Sequence, residues 1–379
     1  MHLRLATVVT LSLLFAAKAS AQSNEPAAEP VTEDAAWTVG LHGLVRAGFD
    51  SVADDERYDF IGRYDGFALR NARLILDATN PEGFSARLSI EGATDIEAGG
   101  TTPSATLDAR VRDGWLSYAP TKSLAIRAGQ FRPGFLAESQ RNPDTYDFAD
   151  PSLLATGVAL GAGFETPGLA LDRGIGAEVN TGAGITAGDL TVRIRAGAWN
   201  GNGANQQLND NPSLAYGTRV EFAYADLVTL GAAGFVNART DGELPDRYQE
   251  SDTGTALDLR LSAANFSLLA QVAQVATSYE TVGSEDRLQS GWAAELGYDR
   301  SFGQLDAGLG YRIATLDPWA EGSATRTHEE LSEQTVALRI GTKVGGLPAR
   351  LIAQHTLTEE FESRSLNNDR TQLSAVVAF

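Results

Sequence analysis

The chain has 379 residues with 30 basic and 49 acidic side chains, a formal charge of −19, 39 glycines and no cysteine. The missing thiols exclude disulfide frameworks, thiolate metal sites and cysteine nucleophiles together, and the acidic balance excludes nucleic acid as a partner. The length allows one to three ordinary domains, or a single large β-barrel.

The amino terminus reads as an export signal. His2 and Arg4 make a weakly cationic start, Leu5 to Ala17 is apolar, and Ala19-Ser20-Ala21 is a small-residue cleavage site. This stretch of thirteen residues is too short to span a bilayer, and no later segment has the roughly 18 apolar residues in a row that a membrane helix needs. Cleavage after residue 21 removes Arg4 and Lys18, leaving 28 basic against 49 acidic residues, or −21. Residues 22–36, rich in Ala, Pro and Glu without periodicity, read as a disordered linker.

From Trp37 onward, stretches of period-2 alternation recur to the end of the chain, the pattern of antiparallel strands crossing an outer membrane. The predicted strands are Trp37 to Asp50, Phe67 to Ala78, Phe84 to Thr94, Leu107 to Tyr118, Leu124 to Arg132, Gly174 to Thr181, Leu190 to Asn200 and Ala215 to Ala225. Eight more follow: Leu227 to Ala238, Gly254 to Ala263, Phe266 to Tyr279, Gly291 to Arg300, Leu305 to Leu316, Thr335 to Val344, Ala349 to Phe361 and Arg370 to Phe379. Turn chemistry such as Asn80-Pro81-Glu82-Gly83 and Gly345-Gly346-Leu347-Pro348 separates alternate pairs, and longer polar loops separate the others. The sequence therefore predicts an all-β, up-and-down transmembrane barrel of sixteen strands over residues 37–379. Short turns and both termini belong on the periplasmic side.

The alternation sets the faces. Phe84, Ala86, Leu88 and Ile90 share one face of their strand and Ser85, Arg87, Ser89 and Glu91 the other. When nearly every strand does this, the greasy face belongs against lipid and the charged face around enclosed water. Aromatic residues near strand ends predict two interfacial girdles: Trp37, Tyr118, Tyr224, Tyr298, Phe302 and Phe379 on the short-turn side, and Phe49, Trp199, Phe235, Tyr279 and Phe361 on the other. The closing strand ends in a terminal Phe379, resembling the signal that the outer-membrane assembly machinery reads.

Counting only the inward set changes the sign of the charge. Arg46, Arg73, Arg87, Arg127, Arg193, Arg195, Arg219, Arg260, Arg312, Arg339, Lys343 and Arg350 face Asp77, Glu91, Asp113, Glu221, Asp258, Glu295, Asp299 and Asp306, twelve against eight. A weak anion preference follows, because low-dielectric walls focus the field of the lumen-facing groups. The acidic excess then sits in loops, at Asp54-Asp55-Glu56, Asp144 to Asp150, Glu329-Glu330 and Glu359-Glu360, as a solvated outer face or a rim attracting divalent cations or lipopolysaccharide-bound ions. Pro133 to Arg173 is by far the longest connection, and loops of that length in a compact barrel are functional or disordered.

Three segments suggest a family. Phe67-Ala68-Leu69-Arg70-Asn71-Ala72-Arg73-Leu74, Asp113-Gly114-Trp115-Leu116-Ser117-Tyr118 and Ala128-Gly129-Gln130-Phe131-Arg132-Pro133-Gly134-Phe135 resemble, in order and spacing, strand motifs of the phosphate-selective porin O/P family. The resemblance covers about the first 170 residues, and beyond them only length and rhythm match. It implies a sixteen-stranded and usually trimeric barrel whose third loop folds inward to narrow the pore, with basic side chains guiding anions. On that reading Arg73, Arg87, Arg127, Arg132, Arg141, Arg193, Arg195, Glu138, Asp144 and Asp147 line the pore or its constriction. The phosphate-selective members rely on several lysines, whereas the mature chain has only Lys122 and Lys343.

Nothing points to chemistry. His42, His328 and His355 are the mature chain's histidines, and no motif pairs one with a nucleophilic serine. No spacing suggests a metal or phosphate cradle, so no cofactor is expected. Two readings stand: an outer-membrane porin passing small hydrophilic solutes, with an anion preference that could extend to phosphate, or a barrel that binds a specific solute or surface partner and conducts little. Outer-membrane lipid, lipopolysaccharide and two further copies of the chain are the expected partners. Amino-terminal sequencing of protein recovered from outer membranes should begin at Gln22; an intact Met1 would overturn the export reading.

Overall fold

The computed structural model describes residues 36–379 except 98–103, 160, 242–246, 281–285, 322–329 and 361–364. One compact unit spans Trp37–Phe379. Its wall strands are β1 Thr38–Val52, β2 Gly66–Thr79, β3 Phe84–Glu97, β4 Ser104–Thr121, β5 Leu124–Phe131, β6 Gly174–Asn180, β7 Leu190–Trp199 and β8 Ala215–Tyr224. They continue as β9 Val228–Asp241, β10 Tyr248–Ala263, β11 Phe266–Tyr279, β12 Arg287–Phe302, β13 Leu305–Glu321, β14 Leu331–Val344, β15 Leu347–Glu360 and β16 Arg370–Ala378. A short extension of β6, Ile185–Ala187, pairs with the start of β7.

Each strand pairs antiparallel with its sequence neighbours, and β1 closes the sheet on β16, with Val45 opposite both Val377 and Ala72. Closure leaves no unpaired edge, which is the condition for strands to cross hydrocarbon. The apolar alternates face outward: Leu76, Leu88, Leu116, Leu257 and Leu338 are exposed, while Glu91, Asp258, Arg219, Arg312 and Arg339 are buried within. The charged interior and greasy exterior invert the arrangement of a soluble domain.

All sixteen predicted strands form, several of them longer at the long-loop end than their hydrophobic pattern predicts. β10 begins at Tyr248 and β12 at Arg287, in polar sequence where ladder bonds persist although no lipid selects for apolar residues.

Two β-bulges change the inward set. Across β1 and β2, Arg46 pairs with Asn71 and Ala47 with Leu69, so Arg70 is the extra residue. Across β3 and β4, Ser89 pairs with Asp113 and Ile90 with Val111, so Arg112 is extra. A bulge lets two consecutive residues share a face. Arg70 and Arg112, which strict alternation assigns to lipid, therefore turn inward onto Asp150 and Glu91. An arginine left against mid-depth lipid would cost about 2–4 kcal/mol.

The short-turn girdle holds Trp37, Tyr118, Tyr224, Phe302 and Phe379 on the outside, all exposed. The other girdle is corrected. Phe49 and Phe67 form an outward pair with ring centroids 5.1 Å apart, but Trp199 and Phe235 are buried inside the barrel. Counting by twos from Arg195 puts Trp199 on the lumen face, so the period itself excluded the girdle assignment. Phe361 lies outside the described residues.

A closed barrel of this kind resists detergent until heated. Unheated protein should migrate faster than boiled protein in a detergent gel; identical mobility would count against closure.

Candidate pore and third-loop site

The motif around Gly129 launches the third loop. Gly129 sits at φ +127°, and a Cβ there would lie 2.2 Å from the Gly114 carbonyl, so only glycine fits. Gln130 donates to the carbonyls of Val111 and Arg112, at 2.7 and 3.0 Å, beside the β4 bulge. Phe131 is buried with the Arg127 guanidinium 4.3 Å over its ring. Phe131 and Gly174 make the last pair of the β5–β6 ladder. Pro133, with no N–H to give a neighbouring strand, then helps turn the chain away from the wall.

The loop enters the barrel, as the sequence reading expected. It contains 3-10 turns at Glu138–Gln140 and Pro143–Thr145, a helical turn at Leu153–Thr156, and a two-residue ribbon pairing Gly157–Val158 with Thr166–Pro167. Little of its backbone bonds to itself, and the wall supplies donors. Arg219 donates to the Phe135 carbonyl at 2.8 Å, Arg350 to Tyr146 at 2.9 Å, Arg339 to Asp147 at 3.1 Å and Arg312 to Asp150 at 2.8 Å. Arg195 donates to the Arg132 carbonyl at 3.2 Å and Arg46 to that of Ala149. Six strands thus reach one loop through guanidinium-to-carbonyl bonds, each of a class worth about 1.5–3 kcal/mol.

Carboxylates complete the docking. Glu138, only 2% exposed, accepts from the Ser152 amide and hydroxyl and from Gln271 of β11, at 2.7, 2.5 and 2.9 Å. Glu333 of β14 accepts from the Leu153 amide at 3.0 Å and pairs with Arg312 at 2.9 Å. Asp150 lies between Arg70 at 2.6 Å, Arg370 at 3.6 Å and Arg46 at 3.8 Å, and accepts from Gln372 at 2.7 Å. Burial alone would raise its pKa, but Arg70 foremost, then Arg370 and Arg46, hold the Asp150 carboxyl well below the usual carboxylate range.

One flank of the loop is dry. Phe135, Leu136, Leu153, Leu154 and Val158 pack on Trp199, Phe235, Val275, Leu316 and Leu331 of the wall. Phe135 meets Phe235 edge-on at 4.9 Å. The wall makes room with small residues: a Cβ on Gly254 would lie 2.0 Å from the Phe235 ring.

The other flank borders a cavity of about 640 Å³ reaching toward the short-turn end at Gly182. Twelve arginines line it against three carboxylates, Asp113, Glu178 and Glu221. A second cavity of about 830 Å³ carries Asp144, Asp299 and Asp306 against Arg339, Lys343 and Arg350. The loop thus divides the lumen into a strongly basic space and a balanced one.

The sequence-predicted site residues fall into three groups. Arg73, Arg87, Arg127, Arg132, Arg141, Arg193 and Arg195 all line the basic cavity. Most are tied to carboxylates: Arg73 to Glu91, Arg87 to Asp77, Arg127 and Arg195 to Glu178, Arg141 to Asp147 and Glu295, each at 2.7–3.2 Å, with Arg193 looser at 3.9 Å from Glu221. Asp144 lines the balanced cavity, and Asp147 pairs with Arg141 at 3.0 Å. Glu138, expected at a constriction, is instead buried between loop and wall. Asp150, expected with the acidic loop groups on a solvated outer face, is a lumen group paired with arginines, and Asp147, placed by the sequence both in that loop run and at the pore, is paired with Arg141 inside the barrel. Asp55 likewise is bound by Arg57 at 2.9 Å and by the Asn367 amide at 2.8 Å.

Sequence reasoning missed Arg70, Arg112 and Arg173. The signal for the first two was two adjacent polar residues in a strand, Arg70-Asn71 and Arg112-Asp113, which cannot both avoid lipid without a bulge. Arg173, one residue before β6, pairs with Asp113 at 2.9 Å.

No family model matches the chain, and no curated protein matches it. Solved structures do. A loop L8 deletion mutant of OmpT, an outer membrane protein of Vibrio cholerae, aligns with TM-score 0.56 and 14% identity, covering 90% of this chain and 99% of that one. The outer membrane channel DcaP of Acinetobacter baumannii gives 0.56 and 17%, over 92% and 99%. The anion-selective porin from Comamonas acidovorans gives 0.53 and 12%, over 90% and 99%. At such identities the likeness is one of fold: the chain shares the closed antiparallel β-barrel of these outer-membrane proteins.

Asp150→Asn would remove the countercharge of three arginines, a change of the class that costs about 3–5 kcal/mol when one partner of a buried pair is lost. Limited trypsin digestion should then cut after Arg141 at least about tenfold faster. Because the folded pKa of Asp150 is depressed, its contribution is present above the unfolded value near ~3.9 and is lost as pH falls below it. By amide hydrogen exchange the loop backbone around Asp150 should stay protected at pH 5 and lose protection as the pH falls toward 2, and the variant should lack that Asp150-dependent step.

Proposed function

We propose that this protein is an outer-membrane porin: exported with cleavage of residues 1–21, it forms a water-filled channel for passive diffusion of small hydrophilic solutes, with a preference for anions. The observation that carries the reading is the basic cavity beside the third loop, whose lining among the described residues holds twelve arginines and three carboxylates, while Asp77, Glu91, Asp147, Asp150, Asp172, Asp258 and Glu295 pair with some of those arginines from outside the lining. Net charge of the whole chain is beside the point, because a permeating ion responds to the wall that encloses it. Assembly as a homotrimer in lipid and lipopolysaccharide fits a fold shared with OmpT of Vibrio cholerae, whose structure is described in a trimer form. The protein acts by conduction and not as an enzyme.

The resemblance to the phosphate-selective O/P family supports anion traffic, and Arg73, Arg87, Arg127, Arg132, Arg141, Arg193 and Arg195 are the groups we assign to it. With Lys122 and Lys343 as the mature chain's lysines, the attraction rests on guanidinium groups. A second reading, a solute-binding barrel of low conductance, is favoured by one observation: the third loop packs dry against a large part of the wall.

Planar-bilayer recording under a potassium chloride gradient separates these readings. Steady channels with a reversal potential of the anion-selective sign are expected, and Arg193→Glu should move the permeability ratio toward unity. A cation-selective reversal potential would reject the anion assignment, and absence of steady current would favour the binding barrel.

A further inference from the structure

The neck of the third loop gathers more positive charge than its neighbours neutralise. Arg132 leaves β5 directly after the Phe131–Gly174 pair and Arg173 enters β6 directly before it, so the two arginines flank the last rung of that ladder. The β4 bulge adds Arg112. Arg112 and Arg73 share the Glu91 carboxylate, each at 2.9 Å, and Arg173 holds Asp113. Arg132 has no carboxylate partner among the described residues; its Nη1 donates to the Ser139 carbonyl and its Nε to nothing. Arg173 is 6% exposed, yet its Nη1 also lacks a hydrogen bond and lies a loose 3.9 Å from the exposed Asp172. Four guanidinium groups thus stand against the buried carboxylates Glu91 and Asp113 and the looser, exposed Asp172, with buried donors unused. Burial, followed by the charges of Arg173 and Arg112, pushes the Arg132 pKa down to about 10, as expected where cations crowd.

We propose that Arg112, Arg132 and Arg173 form a binding site for the carboxylate of a small organic acid, whose apolar body occupies the cavity beside the third loop. The inference rests on the anion-channel reading and names the class of anion. A guanidinium fork accepts either a carboxylate or a phosphate in bidentate fashion, so the rest of the cavity decides. Its volume of about 640 Å³ falls in the roughly 300–1,000 Å³ range of pockets for small organic molecules. Its lining includes Trp115 from the wall and Pro143, Pro151 and Ala155 from the loop, surface that a hydrated phosphate cannot use.

The test titrates the chloride current of the reconstituted full-length protein with benzoate, acetate or inorganic phosphate. Benzoate should depress the current saturably at a concentration at least about tenfold below that needed with phosphate, with acetate between them. Arg132→Gln, which strands no buried carboxylate, should weaken the benzoate effect roughly ten- to hundredfold, its folding verified by fast unheated migration. Phosphate acting as well as benzoate on the native channel would overturn the assigned class, and that comparison needs no variant. An unchanged benzoate response in folded Arg132→Gln would overturn the site. An anion-selective channel that benzoate never saturates would sink this inference alone, whereas a cation-selective channel would sink the anion reading as well.

Discussion

Guanidinium groups on the wall hold the third loop through its backbone carbonyls, and the division of the lumen depends on those bonds. A long loop with little regular structure cannot enter a barrel unless its carbonyls find donors. Arginine meets the need because it reaches from a strand, stays charged and offers several N–H groups in a fixed fork. Arg195 and Arg219 approach from the neighbouring strands β7 and β8, and Arg312, Arg339, Arg350 and Arg46 from the run β13–β15 and β1, so the loop is held from two separate sectors of the wall. Much of the inward positive charge therefore serves architecture.

The suspension has a dry side and a wet side. On the dry side, aromatic and aliphatic residues of the loop find apolar patches on an otherwise charged inner wall, with glycines where rings need depth. On the wet side the guanidinium groups outnumber the carboxylates that tie them. The same residue type therefore fastens the loop and charges the space beside it, and the local ratio of arginine to carboxylate decides which role dominates.

The membrane imposes the complementary constraint. Hydrocarbon tolerates neither an unpaired edge nor an outward charge, so closure and alternation follow directly. Where the chain places two polar residues in succession, a bulge absorbs the conflict, and the extra side chain becomes an inward cation. The bulge at Arg112 thus both protects the barrel from lipid contact and enriches the neck of the loop.

Strand number, closure and most of the facing were legible in the sequence because the period of two, enforced by lipid on one side and water on the other, repeats in nearly every strand and needs no knowledge of contacts. Phe84, Leu88 and Ile90 opposite Arg87 and Glu91 sufficed for β3. The inward course of the third loop was suggested by its length and by the motif at Gly129 to Pro133. What only the tertiary structure decided was which arginine meets which partner. Arg46 and Arg312 sit on strands far apart in sequence and converge on adjacent loop carbonyls, Ala149 and Asp150. Glu138 lies buried beside Gln271, 133 positions away. Charge pairing across a barrel is set by distances through space, and no local period encodes them.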